Sequence, residues 1–273
     1  MIYVDPPRAM FPFPIPFLNR PILWYGVLFA LGVFLGYLVF VQQLKKNKEI
    51  RGQATQIAEA LFFYVIIGVI VGARLFELLF YQHIRYLIDD PLSFFKVWEG
   101  GLSSHGGVTG ALVALFFFLK KYRKKYQFLS GRSLLDGMAV SAGIVAFFIR
   151  LGNFMNQEIL GTVTNVPWAF VFLHPLDGSS LEPRHPVQLY EAAFYLMIFF
   201  LFYFVISKKE WKEGKKAGLF LMIIFTFRFG IEFFKQKQSV LLPFFSLDMG
   251  QELSIPLIIW GAYLFFAKRR VFL

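Results

Sequence analysis

At 273 residues, 57% hydrophobic and with a mean hydropathy of +0.58, the chain reads as an integral membrane protein and not a soluble domain. A formal charge of +11 would point to nucleic acid in a soluble protein; here the cations lie between apolar segments, so anionic lipid headgroups are the expected partner. The absence of cysteine excludes disulfides, a thiolate metal site and a cysteine nucleophile supplied by this chain.

In chain order, the first 21 residues are rich in Pro and Phe (Phe11-Pro12-Phe13-Pro14-Ile15-Pro16) and cannot form a regular helix. Two readings stay open for them: an apolar stretch in the outer membrane interface, or a disordered tail. Seven apolar segments follow: Ile22–Val41, Ala58–Phe80, His105–Leu119, Leu134–Met155, Val187–Ile206, Ala217–Phe234 and Gln251–Ala267. The third is short for a span of about 20 residues and either starts earlier or dips only part-way. No small-residue cleavage site follows a short apolar core, so the first span is expected to act as an uncleaved anchor. The expected fold is an all-α polytopic membrane protein of about seven transmembrane helices. It forms one integral membrane domain over residues 1–273. Within it, residues 156–186 form a small outer cap, in which Pro167-Trp168-Ala169-Phe170-Val171-Phe172 reads as a short strand.

The loops alternate in charge. Those after the first, third and fifth spans carry Lys45-Lys46-Asn47-Lys48 with Arg51, the run Lys120–Lys125, and Lys208–Lys216, and the chain ends on Lys268-Arg269-Arg270; the other loops hold one or two cations each. Positive loops stay in the cytoplasm. This places the N-terminus outside, the C-terminus inside, and gives an odd number of spans.

Three arginines, Arg74, Arg150 and Arg228, sit within the apolar segments, each close in sequence to Glu77, Asn153 or Glu232. An arginine at mid-membrane costs about 2.5–3.5 kcal/mol on insertion scales. Arg74 and Glu77 are i,i+3, as are Arg150 and Asn153; Arg228 and Glu232 are i,i+4, so each pair shares a helix face. Structural ion pairs and a buried anion site both fit any single pair. With the orientation above, however, every unusual polar cluster falls toward the outer face: Tyr25, Arg74 with Glu77, His105, Arg150 to Glu158, Arg184 to Glu191, Arg228 with Glu232, and Gln251. That one-sidedness favours a site opening to the outer leaflet, where the abundant anion is a lipid phosphate. His105, beside Gly106 and Gly107, suits proton abstraction or a structural hydrogen bond. His83, His174 and His185 lie in outer loops. No HExxH, histidine pair or phosphate-binding glycine loop occurs, so neither a metal nor any other cofactor is expected.

The run Arg150-Leu-Gly-Asn153-Phe-Met-Asn156-Gln-Glu158-Ile-Leu-Gly161 resembles the signature of bacterial prolipoprotein diacylglyceryl transferases. So do Trp98-Glu99-Gly-Gly-Leu-Ser-Ser-His105-Gly106-Gly, Arg184-His-Pro-Val-Gln188-Leu-Tyr190-Glu191, Phe227-Arg228-Phe-Gly-Ile-Glu232 and Met249-Gly250-Gln251. Two departures involve no polar motif residue: Ser104 stands where an aromatic is common, and Ile149 where glycine is usual.

The resemblance implies transfer of the diacylglyceryl group of phosphatidylglycerol to the lipobox cysteine of a prolipoprotein. The products are a thioether and glycerol-1-phosphate, and the setting is the bacterial cytoplasmic (inner) membrane. It implies His105 as base or thiol-orienting group, with Arg150 and Arg228 on the phosphate and Glu232 orienting Arg228. Asn153, Asn156 and Glu158 are expected on the glycerol hydroxyls and Tyr25 near the headgroup. Gly106, Gly161, Gln188, Tyr190 and Glu191 complete the expected substrate site, and Arg74 and Glu77 support it. The expected partners are phosphatidylglycerol, lipobox prolipoproteins and the bilayer, with no nucleic acid. The competing reading is a transporter or lipid-binding protein that moves an anion, which calls for polar residues at both faces.

Overall fold

A computed structural model describes residues 2–11, 13, 21–81, 88–95, 102–126, 129–237 and 247–267. The motif residues Trp98 to Gly101, His83 and most of the Pro-Phe run lie outside the described residues. Seven long helices occur among the described residues: α1 (Trp24–Lys45), α2 (Ala54–Phe76), α3 (Ser104–Tyr122), α4 (Gly131–Met155), α5 (Val187–Phe200), α6 (Lys215–Ile231) and α7 (Met249–Phe266). Two short strands, β1 (Ile2–Val4) and β2 (Phe170–Phe172), accompany them. Helix α2 continues through a wider π-type turn, Glu77–Tyr81, and α6 through a tighter turn, Glu232–Phe234.

Six of these helices are long and apolar enough to cross a membrane, within Trp24–Lys45, Arg51–Phe80, Gly131–Met155, Val187–Lys208, Lys215–Phe234 and Met249–Phe266. In hydrocarbon a helix satisfies every backbone N–H and C=O internally, so such segments have little alternative. The seventh, α3, is 19 residues long but less apolar, because it opens on Ser-His-Gly-Gly and closes on Lys120 and Lys121. The chain is a mainly helical, multi-pass membrane protein.

The residues group into two compact units. The first comprises Met1–Val39, Val140–Glu210 and Ile231–Gln236. Within it, Gly36 of α1 faces Val145 of α4 so closely that an added Cβ would lie 2.5 Å from a valine methyl, and a Cβ added at Gly143 of α4 would lie 3.1 Å from Phe199 of α5. Small residues of this kind let membrane helices approach closely. The strands pair in parallel, Ile2 with Phe170 and Val4 with Phe172. Phe170 and Arg184 exchange two backbone hydrogen bonds, 3.0 and 2.9 Å, on the other side of β2. The chain start is further tied by the bond from the Trp24 amide to the Arg8 carbonyl, 2.9 Å. Residues 2–10 are therefore not a loose tail.

The second unit comprises Phe40–Ala139, Trp211–Gly230 and Lys237–Leu273. Its α2 and α3 touch through glycine: the Gly72 carbonyl and the Phe76 Cβ occupy the place a Cβ at Gly106 would need, and the Gly68 carbonyl does the same at Gly110. Helix α6 starts where it does because the buried carboxylate of Asp136 accepts from the Gly214 and Ala217 amides, each at 2.8 Å, satisfying donors at that helix end.

Candidate active site

In the first unit, α4 ends at Met155 and the chain turns back through Gln157 (φ 51°) and Ile159 (φ 56°), both in the left-handed region. This reversal folds the residues after the helix under its last turn. Arg150 Nη1 donates to Asn153 Oδ1 at 2.9 Å, as their i,i+3 spacing allows. Asn153 Nδ2 donates to Glu158 Oε1 at 2.7 Å, and Asn156 Nδ2 reaches the same oxygen at 3.3 Å. Burial pushes the Glu158 carboxyl above the ordinary carboxylate range, against the opposing pull of the Asn153 and Asn156 hydrogen bonds and the Arg150 and Arg8 charges. Gln188 Nε2 holds the Glu158 carbonyl at 2.8 Å. The buried Oε1 of Gln188 has no hydrogen-bond partner among the described residues.

A chain of alternating charges runs on from Arg150. Its Nε lies 3.1 Å from Glu191 Oε2. The other oxygen of Glu191 accepts from Lys235 Nζ at 3.0 Å, and Lys235 Nζ stands 3.7 Å from Glu232 Oε2. Arg150, Glu191 and Lys235 are 5%, 0% and 3% exposed, so each charge depends on its neighbours for solvation. Lys235 reaches Glu191 because the segment after α6 is clipped to the segment after α4. Thr162 donates to the Phe234 carbonyl (2.8 Å) and Gln236 to the Leu160 carbonyl (3.0 Å), which sets Gly161 opposite Lys235. Arg150 thus has Nε and Nη1 engaged, while Nη2 makes no hydrogen bond among the described residues.

Tyr25, in the first turn of α1, lays its ring on Gly152, where an added Cβ would come within 2.8 Å of it. That close approach puts the phenol beside the Arg150–Asn153 turn. Gly161 and Tyr190 make contacts with Arg184, His185 and Trp168. The His185 carbonyl occupies the place a Cβ at Gly161 would need, and the Gly161 carbonyl accepts from Arg184 Nη1 at 3.2 Å. The Tyr190 hydroxyl accepts from Trp168 Nε1 at 2.7 Å and lies 3.3 Å from His185 Nδ1. His174 pairs with Asp5 at 2.8 Å, near the chain start.

The second unit holds Arg74, Glu77, His105, Gly106 and Arg228. Ser103 caps α3: its side chain accepts from the Gly106 amide, while its own amide donates to the Ala73 carbonyl at 3.1 Å. His105 is 1% exposed. Its Nε2 lies 3.2 Å from Ser254 Oγ of α7, and its ring centroid is 5.7 Å from that of Phe225. Arg74 is buried in the last turn of α2, directly before the π-type turn that Glu77 opens, and Arg228 is buried in the last turn of α6. Gln251 forms a capping box with Asp248 at the start of α7 and donates to the Phe229 carbonyl at 3.2 Å.

Two polar residues of these clusters escaped the sequence reading. Lys235 looked like one more loop cation; its signal was the i,i+3 spacing from Glu232. Ser254 sits inside an apolar helix and carried no signal.

The sequence profile of the family described as prolipoprotein diacylglyceryl transferase matches residues 12–267. The chain is 40% identical over 243 residues to the phosphatidylglycerol–prolipoprotein diacylglyceryl transferase of Tolumonas auensis, covering 88% of this chain and 89% of that protein. It is 41% identical over 253 residues to the enzyme of that name from Chloroherpeton thalassium, covering 90% and 87%. It is 32% identical to that from Protochlamydia amoebophila over an alignment covering 98% and 95%. With nearly the whole chain matched and the Arg150–Gly161 signature built around a buried arginine, the chain belongs to the prolipoprotein diacylglyceryl transferase family.

Proposed function

We propose that the chain transfers the diacylglyceryl group of phosphatidylglycerol to the lipobox cysteine of a prolipoprotein, the first step of lipoprotein maturation. Family membership and the names of its relatives support the reaction. The observation that carries the site assignment is Arg150. Glu191 and Asn153 hold two of its nitrogens, which presents Nη2 in a fixed direction. A guanidinium oriented in this way suits a phosphate oxygen on which charge grows as the ester bond breaks. Lys235 shares Glu191, so that carboxylate does not cancel Arg150 alone.

A thiol with a pKa near ~8.5 is only a small fraction thiolate at neutral pH, so its proton must be taken. His105 takes it or orients the thiol. The sulfur attacks the glycerol carbon that bears the phosphoester, and glycerol-1-phosphate leaves. Asn153, Asn156 and Glu158 receive the glycerol hydroxyls, with the Gln188 Oε1 as a further acceptor and Tyr25 at the headgroup. The motif resemblance assigns Arg228 to the phosphate and Glu232 to its orientation, with Arg74 and Glu77 in support. The loop charges support an outside N-terminus and a site open to the outer leaflet of the bacterial cytoplasmic membrane, with residues 156–186 as an outer cap.

The test is a mass assay with purified protein, phosphatidylglycerol and a lipobox peptide bearing one cysteine. A diacylglyceryl mass gain with release of glycerol phosphate is expected. A folded protein that leaves the peptide mass unchanged overturns the reading in favour of anion or lipid transport.

A further inference from the structure

Gln157 follows the end of α4 in the left-handed region, φ 51°, a conformation that a residue with a side chain keeps only where its surroundings hold it. It is fully buried, and each of its polar atoms is engaged. Its amide donates to the Phe154 carbonyl at 3.0 Å, and its carbonyl accepts from the Leu176 amide at 3.0 Å. The side-chain Oε1 accepts from the His174 amide at 2.8 Å, which turns Nε2 toward Asp5 Oδ1, 3.4 Å away. The same Asp5 oxygen pairs with His174 Nδ1 at 2.8 Å, and Arg8 Nη2 donates to the His174 carbonyl. The His174 hydrogen bond holds the Asp5 carboxyl below its ordinary value, so at neutral pH it accepts from both partners. Asp5 directly follows β1, whose Val4 carbonyl accepts from the Leu173 amide at 3.1 Å. The residue after Gln157 is Glu158, whose amide donates to the Asn153 carbonyl at 3.1 Å and whose Oε1 gathers Asn153 and Asn156. Gln188 holds Glu158 from the α5 side, and the torsions of Gln157 set its direction from the other.

We propose that Gln157 is a positioning residue for Glu158 and that Asp5 secures it, which makes the chain start, residues 2–8, a working part of the phosphatidylglycerol site. The lipid half of this statement rests on the transferase reading, in which Asn153, Asn156 and Glu158 receive the glycerol hydroxyls. Gln157 and Asp5 do not touch the lipid; they act on it through the turn that aims Glu158.

The experiment combines transfer kinetics of the full protein in mixed micelles of varied phosphatidylglycerol content with hydrogen exchange at the His174 amide. Gln157→Gly separates positioning from strain. Glycine takes the left-handed conformation freely, so a residue that served only the fold would be replaced with no loss of lipid binding. Loss of the side-chain ties should instead raise the KM for phosphatidylglycerol about three- to tenfold, with kcat and the KM for the lipobox peptide little changed. The His174 amide, protected in the wild type, should exchange readily in this variant. Asp5→Ala, at an exposed position, should raise the same KM, and Asp5→Asn, which keeps an oxygen for Gln157 and His174, should restore it. The Asp5→Ala/Gln157→Gly protein should be no worse than the worse single variant, because both changes cut one path. A wild-type KM for phosphatidylglycerol in Asp5→Ala overturns the proposal even if Gln157→Gly does not fold. So does a wild-type KM in a folded Gln157→Gly protein, a double variant in which the two increases multiply, or an Asp5→Asn protein as impaired as Asp5→Ala. Absence of any thioether product from the wild-type protein overturns the transferase reading and the lipid half of the proposal with it. The exchange of the His174 amide judges the Gln157 contact separately, and an amide still protected in Gln157→Gly overturns that contact.

Discussion

Lys235→Met takes a buried ammonium from between two carboxylates and leaves an apolar stem of similar volume, so its effect is electrostatic and not a cavity. Lys235 Nζ lies 3.0 Å from Glu191 and 3.7 Å from Glu232. At an effective dielectric near 20 these contacts correspond to about 5.5 and about 4.5 kcal/mol of gross attraction. The desolvation of the ammonium offsets much of that sum, but removal of one partner leaves a surplus buried negative charge, which typically costs about 3–5 kcal/mol. A loss of that size lowers the thermal midpoint by roughly 10 °C for a chain of this length. The Glu191 charge, no longer shared with Lys235, then bears more heavily on Arg150, so the KM for phosphatidylglycerol should rise several-fold. The assay is thermal denaturation in detergent together with transfer kinetics for Lys235→Met and for Lys235→Met/Glu232→Gln, which restores the charge count. The double variant should regain at least about 1 kcal/mol. A Lys235→Met protein that melts with the wild type and keeps its KM would refute the reasoning, and a double variant no better than the single would refute the charge argument specifically.

Three further outcomes are expected. Arg150→Ala and Arg228→Ala should each depress transfer at least a hundredfold in a protein that still elutes as a folded species, the size of effect seen when a charge-stabilising donor is lost; near-normal activity in both would sink the phosphate assignment. Gly106→Ala should cost about 1–3 kcal/mol, because its Cβ would collide with the Gly72 carbonyl; the neighbouring Gly107→Ala, whose nearest contact would be Val69 at 3.6 Å, should be neutral or slightly stabilising in the same melting assay. Glu158 has a raised pKa, so above the ordinary value of 4.5 the unfolded chain releases its proton first. Stability owed to Glu158 is therefore present at low pH and falls as pH rises through the window between the ordinary and the raised value. Against Glu158→Gln, the wild-type protein should lose relative stability across that window, and a flat difference in melting midpoints would contradict the buried carboxyl.

The helices were legible because membrane spans are written as continuous apolar runs, and six of the seven expected segments correspond to helices long and apolar enough to cross. Helix α3 was legible with less certain extent, since its glycines serve contact with α2 and add little hydropathy. Strand β2 lies inside the stretch read as a strand, Pro167 to Phe172, whereas β1 could not be read, because three residues gain strand character only from a partner far along the chain. The Arg150–Asn153 contact follows from helix spacing. The Arg150–Glu191–Lys235 chain does not: it joins three separate elements, and no local period records such a meeting.

The parallel pairing of Ile2–Val4 with Phe170–Phe172 carries a consequence for biogenesis. At about 5–20 residues per second, ribosomal synthesis separates the emergence of the two strands by roughly 10–30 s. Through that interval the first strand has an open edge, and such edges invite pairing with foreign chains. Closure of β1 onto β2 must therefore come late in synthesis, after four of the seven helices have been made, and bulky additions ahead of Ile2 would burden that closing step more than any other.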